Sequence, residues 1–456
     1  MAHRRTIAAL ITLLVAGCSR PAAAPVQEPT PPARPSPRSA GSDWPRFLGP
    51  FGTGASPETG IRTDWTGGLR TVWSLSVGEG YAAPAVAGGR VFHFDRHGRT
   101  ARLAAYHPDT AAELWRFEYP TDFADKYGYD GGPRCCPVVD GDRVYAYGPE
   151  GVLHCVRATD GKPLWHVDAK AEYNVVQNFF GVGGAPLVEG DLLIVPVGGS
   201  PAGPEPDDFR DLKGNGCGVV VFDKRTGQER YRTTDELASY TSPTVAEIGG
   251  RRLGLYWSRH RLVGFEPATG HVAFQFPWRS KALESVNAAN PVVVGDRVLL
   301  TECYGRGSVL LRVTPGGPEV VWQDDAGARR KQLECHWNTP IHVNGYVYGS
   351  SGRNTPEAEL RCVELATGQV KWREPGLGRA SLLLVDGHFV ILTEYGQLLL
   401  AKVNPLRYDE VARLDLGHTG SRRLMYPCWA GPVLAHGRLY LRGERRLLCL
   451  ELIPPT

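Results

Sequence analysis

Short runs of alternating apolar and polar residues recur along most of the chain at intervals of about 50 residues. Each repeat opens with an apolar stretch, passes through a glycine turn into a second strand, and ends with a Thr-Gly turn before an aromatic residue. The opening stretches begin at Pro84, Pro137, Pro186, Pro243, Pro291, Pro340, Leu383 and Pro432. Alternation with a period of two predicts β-strands, and the glycines supply the positive φ of tight hairpins. The chain is therefore predicted to be all-β.

A period of about 50 residues with three or four short strands is typical of a propeller blade. The eighth repeat ends at Cys449–Leu452 without an aromatic strand, whereas an unpaired strand of that character occurs early, at Thr71–Ser76. We expect this strand to complete the last blade, because an open ring would leave unpaired sheet edges. The aromatic residue after each Thr-Gly turn is expected to pack between adjacent blades. Residues 43–453 are thus predicted to form a monomeric eight-bladed β-propeller.

The first 18 residues are predicted to be a lipoprotein signal peptide. The basic stretch His3-Arg4-Arg5 precedes a short apolar run from Ile7 to Val15, and the segment ends in Val-Ala-Gly-Cys. This ending resembles a bacterial lipobox, which makes Cys18 the lipidated residue; an ordinary signal peptide or an N-terminal anchor is the alternative. Residues 19–42 are rich in proline and are predicted to form a semi-extended tether. Because Ser19 and not aspartate follows the cysteine, we expect a periplasm-facing lipoprotein of the outer membrane.

Composition narrows the functional classes. The chain has 51 basic and 48 acidic residues, so it has no electrostatic signature of nucleic-acid binding. With 42% apolar residues it can bury a large core. Its 11 Trp and 18 Tyr against 2 Met favour a β-rich protein over a helical or phosphate-binding α/β enzyme.

The repeat ends, such as ATDGKPLW to Trp165 and LATGQVKW to Trp372, resemble those of PQQ-like propellers, the quinoprotein alcohol dehydrogenase-like family. The stretch DWPRFLGPFGTG, Asp43 to Gly54, and the HWNTP and GRASLLLVDG stretches resemble a bacterial subgroup of lipoproteins with such repeats. The resemblance implies an eight-bladed propeller and two kinds of function. Some relatives are dehydrogenases with PQQ and calcium, and others, such as the lipoprotein scaffold of the outer-membrane barrel-assembly machine, bind no cofactor.

If the dehydrogenase chemistry is present, the resemblance implies PQQ between a Trp ring and a vicinal disulfide. Cys135 and Cys136 are the candidate pair, and Trp337 or Trp429 is the candidate ring. The alternative for the cysteines is that both pack as small hydrophobic residues. Glu334 with Asn338 or Asn290 would supply oxygen ligands for calcium, and His336 a base.

Residues just before the repeat openings are expected to converge on one face around the central channel, where they form a candidate binding site. The set is Asn178, Phe180, Tyr240, Ser242, Asn287, Asn290, Glu334, His336, Trp337, Asn338, Tyr426 and Trp429. The aromatic and acidic loop 121–133 is a candidate rim. The alternative is that these polar groups satisfy backbone amides and that the tryptophans pack between blades.

No counterpart of a catalytic aspartate and no haem-attachment motif accompanies this set. The sequence therefore favours a tethered, non-catalytic platform without a cofactor, which binds an envelope protein or a small-molecule ligand. The alternative is a PQQ- and calcium-dependent oxidoreductase of alcohols or sugars. Polysaccharide recognition by Trp337, Trp429 and Tyr426 is a third possibility that no motif supports.

Overall fold

The computed structural model describes residues 41–175, 179–203, 211–417 and 423–455. Within these ranges the chain forms 32 strands in eight four-stranded sheets, and one short helix, α1 (Ala169–Tyr173). No helix in the described part is long and apolar enough to cross a membrane. The signal peptide with Cys18, most of the tether and Asn178 lie outside the described residues.

Each sheet is one antiparallel blade of the propeller; its strands follow chain order from the central channel outwards, except in blade 8, where β1 is the outermost strand. Blade 1 consists of β2 (Ala85–Ala87), β3 (Arg90–His97), β4 (Thr100–Tyr106) and β5 (Glu113–Pro120), and blade 2 of β6 (Val138–Asp140), β7 (Arg143–Tyr147), β8 (Val152–Arg157) and β9 (Pro163–Asp168). Blade 3 consists of β10 (Leu187–Glu189), β11 (Leu192–Pro196), β12 (Val219–Asp223) and β13 (Glu229–Thr233), and blade 4 of β14 (Thr244–Ile248), β15 (Arg251–Trp257), β16 (Arg261–Phe265) and β17 (Val272–Pro277).

Blade 5 consists of β18 (Val292–Val294), β19 (Arg297–Glu302), β20 (Gly307–Thr314) and β21 (Gly317–Gln323), and blade 6 of β22 (Ile341–Val343), β23 (Tyr346–Ser351), β24 (Glu359–Glu364) and β25 (Val370–Glu374). Blade 7 consists of β26 (Ala380–Val385), β27 (His388–Thr393), β28 (Gln397–Lys402) and β29 (Glu410–Asp415), and blade 8 of β30 (Val433–Ala435), β31 (Arg438–Arg442), β32 (Arg446–Glu451) and β1 (Thr71–Ser76). The predicted eight-bladed all-β propeller is confirmed.

In seven blades the innermost strand begins directly after the proline that opens the repeat. Proline has no N–H to donate to a strand ladder, so the ladder starts after it. In blade 7, Leu383 replaces this proline, and the innermost strand β26 extends back to Ala380, which pairs with Thr393. Arg379 is therefore the residue that leads into this strand, a position that matters for the site described below.

The N-terminal strand closes the ring as the sequence predicts. β1 pairs with β32, and Trp73 lies opposite Cys449 in that ladder. The indole Nε1 of Trp73 donates a hydrogen bond of 2.7 Å to the carbonyl oxygen of Pro108 in blade 1. Blade 8 is thus joined to blade 1 both through a strand from the other end of the chain and through an aromatic contact.

The same aromatic contact recurs between other neighbouring blades. Trp115 donates to Ala158 O at 3.0 Å, and Trp322 donates to Leu365 O at 2.8 Å, in each case in the next blade. A one-residue bulge precedes the aromatic residue in these outer strands, and bulges redirect side chains in this way. The expectation that the repeated aromatic residues pack between adjacent blades is confirmed at these positions.

The glycine of the Thr-Gly turn is required by this contact. A Cβ added to Gly161 would lie 2.5 Å from the ring of Trp115. We predict that Gly161→Ala lowers the free energy of unfolding by about 1 to 3 kcal/mol more than Gly141→Ala in the same blade. Both glycines have positive φ, but a Cβ at Gly141 meets nothing within 4 Å, so that variant costs only about 1 kcal/mol of backbone strain. Urea unfolding of the two variants is the measurement, and equal losses would contradict the proposed clash.

Candidate functional site

Aromatic side chains from loops of several blades meet on one face of the propeller. The rings of Trp337 and Trp429, which precede blades 6 and 8, have centroids 5.4 Å apart. Trp429 also lies 4.9 Å from Tyr81, 5.9 Å from Tyr426 and 6.3 Å from Tyr129. We call these five residues the aromatic face. The structure thus brings Trp337, Trp429 and Tyr426 together, and adds Tyr81 before blade 1 and Tyr129 from the predicted rim loop.

A buried ion pair fixes the two tryptophans. The carboxylate of Glu394, which is 1% exposed, accepts hydrogen bonds from Arg379 Nη2 at 2.6 Å and from Trp429 Nε1 at 3.2 Å. The guanidinium of Arg379 lies 4.6 Å from the ring centroid of Trp337 and 5.6 Å from that of Trp429. Burial alone would raise the pKa of Glu394, but hydrogen bonds from Arg379 and Thr355 hold this pKa below its usual value. Glu394 is therefore ionised and is neutralised within the protein.

The sequence pattern does not single out Arg379 or Glu394 as site residues. Their only signal is the irregularity of blade 7, where the opening proline is lost and Arg379 takes the place directly before the strand. Glu394 begins the turn after β27 and looks like an ordinary polar turn residue. The repeat pattern does not predict this pair, because the pair is a departure from that pattern.

His336 lies beside the aromatic face and is held in a neutral state. Its Nε2 is 3.0 Å from the hydroxyl oxygen of Tyr304, and its ring centroid is 4.9 Å from that of Trp337. Burial, together with the charges of Arg379 and Arg353, lowers the pKa of His336 to about 3. A group with so low a pKa accepts a proton poorly near neutral pH, so this environment does not favour the role of a general base.

The aromatic face continues into exposed side chains. Tyr129 is 62% exposed, Tyr127 54%, Tyr395 52% and Tyr426 44%, and the rings of Tyr395 and Tyr426 stack with centroids 5.0 Å apart. On the other side, Arg134 lies over both Tyr81 and Phe180, at 4.9 and 5.1 Å from their ring centroids. The result is a surface of exposed tyrosines over half-buried tryptophans.

The cysteines do not fit the quinone arrangement that the family resemblance implies. Cys135 and Cys136 are free thiols, and both are buried. The Sγ of Cys135 donates to Gly184 O at 3.3 Å, and Phe47 from the N-terminal segment packs against the cluster that contains both cysteines. Burial raises the pKa of Cys136 to about 12. As arranged, the pair contributes to the core and offers no open sulfur surface for a planar ligand.

The predicted calcium ligands are used within the protein. Asn338 donates through Nδ2 to Ser350 O at 2.8 Å and accepts through Oδ1 from His336 N at 3.3 Å. Asn290 Oδ1 accepts from Ser242 N at 2.9 Å. Calcium requires six to eight oxygen ligands, and only Glu334 of the predicted set is left for it. Within the described ranges, no three side chains of His, Cys, Asp or Glu form a group that fits a metal.

Asn290 and Ser242 instead join neighbouring blades. Ala185 N donates to Ser242 Oγ at 2.9 Å, Ser242 N donates to Asn290 Oδ1, and Asn290 N donates to Thr339 Oγ1 at 3.0 Å. All four residues directly precede an opening proline, so one repeat position forms a chain of hydrogen bonds from blade 3 to blade 6. Asn287 has a similar role, since its Nδ2 donates to Ser258 O at 2.8 Å.

These features define a closed eight-bladed β-propeller with an aromatic surface over its central channel. The sequence model of the family described as "Outer membrane protein assembly factor BamB" matches residues 99–374, and the chain belongs to this family. No curated protein sequence matches the chain.

Solved structures share the fold at low sequence identity. BamB from Moraxella catarrhalis is 14% identical with a TM-score of 0.56, and the match covers 84% of this chain and 97% of that one. Quinohemoprotein alcohol dehydrogenase from Comamonas testosteroni is 13% identical with a TM-score of 0.51, over 91% and 82% of the two chains. The computationally designed Ika8 protein is 10% identical with a TM-score of 0.53, over 84% and 99%. At these identities the likeness shows the fold alone, and fold does not determine activity.

Proposed function

We propose that this protein is a non-catalytic binding platform of the bacterial cell envelope, tethered through Cys18 and facing the periplasm. Its aromatic face binds a protein partner. The observation that carries this proposal is the cluster of exposed Tyr127, Tyr129, Tyr395 and Tyr426 over the half-buried Trp429. Membership of a family described as an outer-membrane protein assembly factor supports a protein partner at the outer membrane.

The composition of the face suits binding better than chemistry. Tyrosine, tryptophan and arginine are the residues that most often dominate the binding energy of protein interfaces. Contiguous exposed apolar surface on a soluble domain marks an interaction site. The charges beneath the face are already paired, since Arg379 is neutralised by Glu394 and Arg134 donates to Asp125 Oδ2 at 2.8 Å. The partner therefore meets a fixed surface of rings rather than a reactive group.

Site-specific photo-crosslinking in intact cells tests this proposal. A photoreactive phenylalanine analogue replaces Tyr129 on the aromatic face and, in a matched control, Val320 on the outer strand of blade 5, which is 47% exposed. We expect one discrete adduct from position 129 and none of the same mass from position 320. Trp429→Ala is expected to reduce the adduct at least fivefold, because it removes the ring that supports Tyr129. Equal adducts from both positions, or an adduct that persists in Trp429→Ala, would contradict the proposal.

A further inference from the structure

The segment before β1 makes backbone hydrogen bonds to the innermost strands of three blades. Trp44 exchanges two of them with Val86 of blade 1, at 2.7 and 2.9 Å. Val139 N of blade 2 donates to Pro45 O at 2.8 Å. In blade 7, Leu384 N donates to Gly54 O at 2.9 Å and Ser56 N donates to Leu384 O at 2.8 Å. We call residues Asp43–Glu58 the axial segment, because they contact the edges that line the central channel.

Side chains of the axial segment reach further blades. Trp44 is 4% exposed, and Phe51 lines a small cavity with Leu187 of blade 3 and Val245 of blade 4. A Cβ on Gly54 would lie 3.1 Å from Ile341 of blade 6. The segment therefore lies against the innermost strands of blades 1, 2, 6 and 7 and shares a cavity with those of blades 3 and 4.

A carboxylate fastens the end of the axial segment to blade 8. Glu58 is buried and accepts hydrogen bonds from the backbone N–H groups of His436 and Gly437, both at 2.7 Å. The N–H of Ser42 donates to the same carboxylate at 3.2 Å. Hydrogen bonds to a charged acceptor are stronger than those between neutral groups, so this end is held firmly.

The innermost strand of a blade is a sheet edge with unpaired backbone groups, and an added strand satisfies such an edge. We infer that the axial channel is a binding site for a peptide segment, which the chain occupies with its own residues 43–58. This segment pairs with blades 1 and 7 through single bridges at Trp44 and Ala55 and forms turns between them. This site takes the place of a quinone site, in accord with Cys135 and Cys136, which pack beneath Phe47. The motif DWPRFLGPFGTG thus specifies a ligand of the propeller that the same chain carries. This inference does not rest on the proposed function, because the aromatic face can fail to bind a partner while the segment stays bound.

Hydrogen exchange on the full chain tests the contacts directly. We expect slow exchange at the amides of Trp44, Ser56, Val86, Val139 and Leu384. Trp44→Ala should speed exchange at Val86 and Val139 at least tenfold, because it removes the buried anchor of the segment. The matched variant Thr53→Ala, at an exposed side chain in the same segment, should leave these rates within twofold. Fast exchange at Val86, Val139 and Leu384 in the unmodified protein would overturn the inference.

Cleavage after folding tests whether the channel is a true peptide site. A protease site is inserted between Gly67 and Gly68, where an added Cβ meets nothing within 4 Å. After the cut, a labelled synthetic peptide of residues 41–67 should exchange into the protein saturably, and unlabelled peptide should displace it. The same peptide with Trp44→Ala should compete at least tenfold less well, and PQQ with calcium should neither displace the label nor raise the melting temperature. Saturable displacement by PQQ, or equal competition by the variant peptide, would overturn the inference.

Discussion

Asp95→Asn is expected to lower the free energy of unfolding by about 3 kcal/mol, because it breaks a buried ionic network between blades 1 and 8. Asp95 is 1% exposed and accepts from Arg102 Nε at 3.1 Å, Arg102 Nη2 at 2.9 Å and Gly78 N at 2.7 Å. Arg442 of blade 8 is fully buried beside it and donates to His93 and to the carbonyls of Gly78 and Gly80. Asparagine keeps the shape and removes the charge, so Arg102 loses its ion-pair partner and the buried Arg442 loses a nearby negative charge at the seam of the ring.

Urea unfolding at neutral pH measures this loss, with Asp142→Asn as the matched control. Asp142 and Arg143 form an ion pair within blade 2, but the side chain of Asp142 is 67% exposed. Exposed ion pairs contribute about 0 to 1 kcal/mol, so the control should stay within that range. If Asp95→Asn were as mild as Asp142→Asn, the network would not stabilise the closed ring.

The contribution of three histidines to the free energy of unfolding is expected to fall steeply below about pH 6.5, because the folded protein holds them neutral. Burial is the largest cause at each: it lowers the pKa of His93 to about 3, that of His336 to about 3 and that of His154 to about 4. The unfolded chain binds protons at these histidines below about pH 6.5, whereas the folded protein does not. Their contribution is therefore complete above pH 6.5 and is lost as the pH falls towards 3 to 4. In that window the contribution of each histidine to the free energy of unfolding falls by about 1.4 kcal/mol per pH unit.

Unfolding free energies at pH 7.5 and 5.5 are the measurement. The three histidines together should lower the free energy of unfolding by up to about 4 kcal/mol when the pH falls from 7.5 to 5.5. His93→Gln should remove about a third of this histidine contribution. Asp95 adds a separate loss at lower pH, because its pKa of about 2 lies below the usual value of a free carboxyl. Glu302 acts in the opposite direction, because burial raises its pKa to about 7, so the variant decides: an unchanged pH difference in His93→Gln would refute the neutral state of His93.

The repeat pattern predicts much of the architecture because each blade is a local unit. Opening prolines mark where the innermost strands start, and the Thr-Gly turns mark where the aromatic residues dock on the next blade. The strand Thr71–Ser76 is identifiable because the eighth repeat lacks a strand of its type. Trp337 and Trp429 are predictable for a similar reason, since residues at equivalent repeat positions arrive at the same face.

The roles of other predicted site residues depend on which partner each side chain contacts, and residue type does not reveal that partner. Asn290 and Asn338 carry the oxygen that calcium prefers, but these oxygens accept hydrogen bonds from Ser242 N and His336 N. Cys135 and Cys136 are adjacent in sequence, yet Phe47 and Gly184 decide that they lie in the core. Each of these contacts joins segments that are far apart in the chain, so no local pattern encodes it.

The sequence by itself determined the number of blades, the order of their strands and the closure of the ring, because these follow from periodicity and from the need to pair sheet edges. Only the tertiary structure decided that Glu394 binds both Arg379 and Trp429, and that the axial segment bonds to the innermost strands of blades 1, 2 and 7. Both depend on several blades placing side chains or strand edges within a few ångströms of one another. That arrangement exists only once the ring has formed.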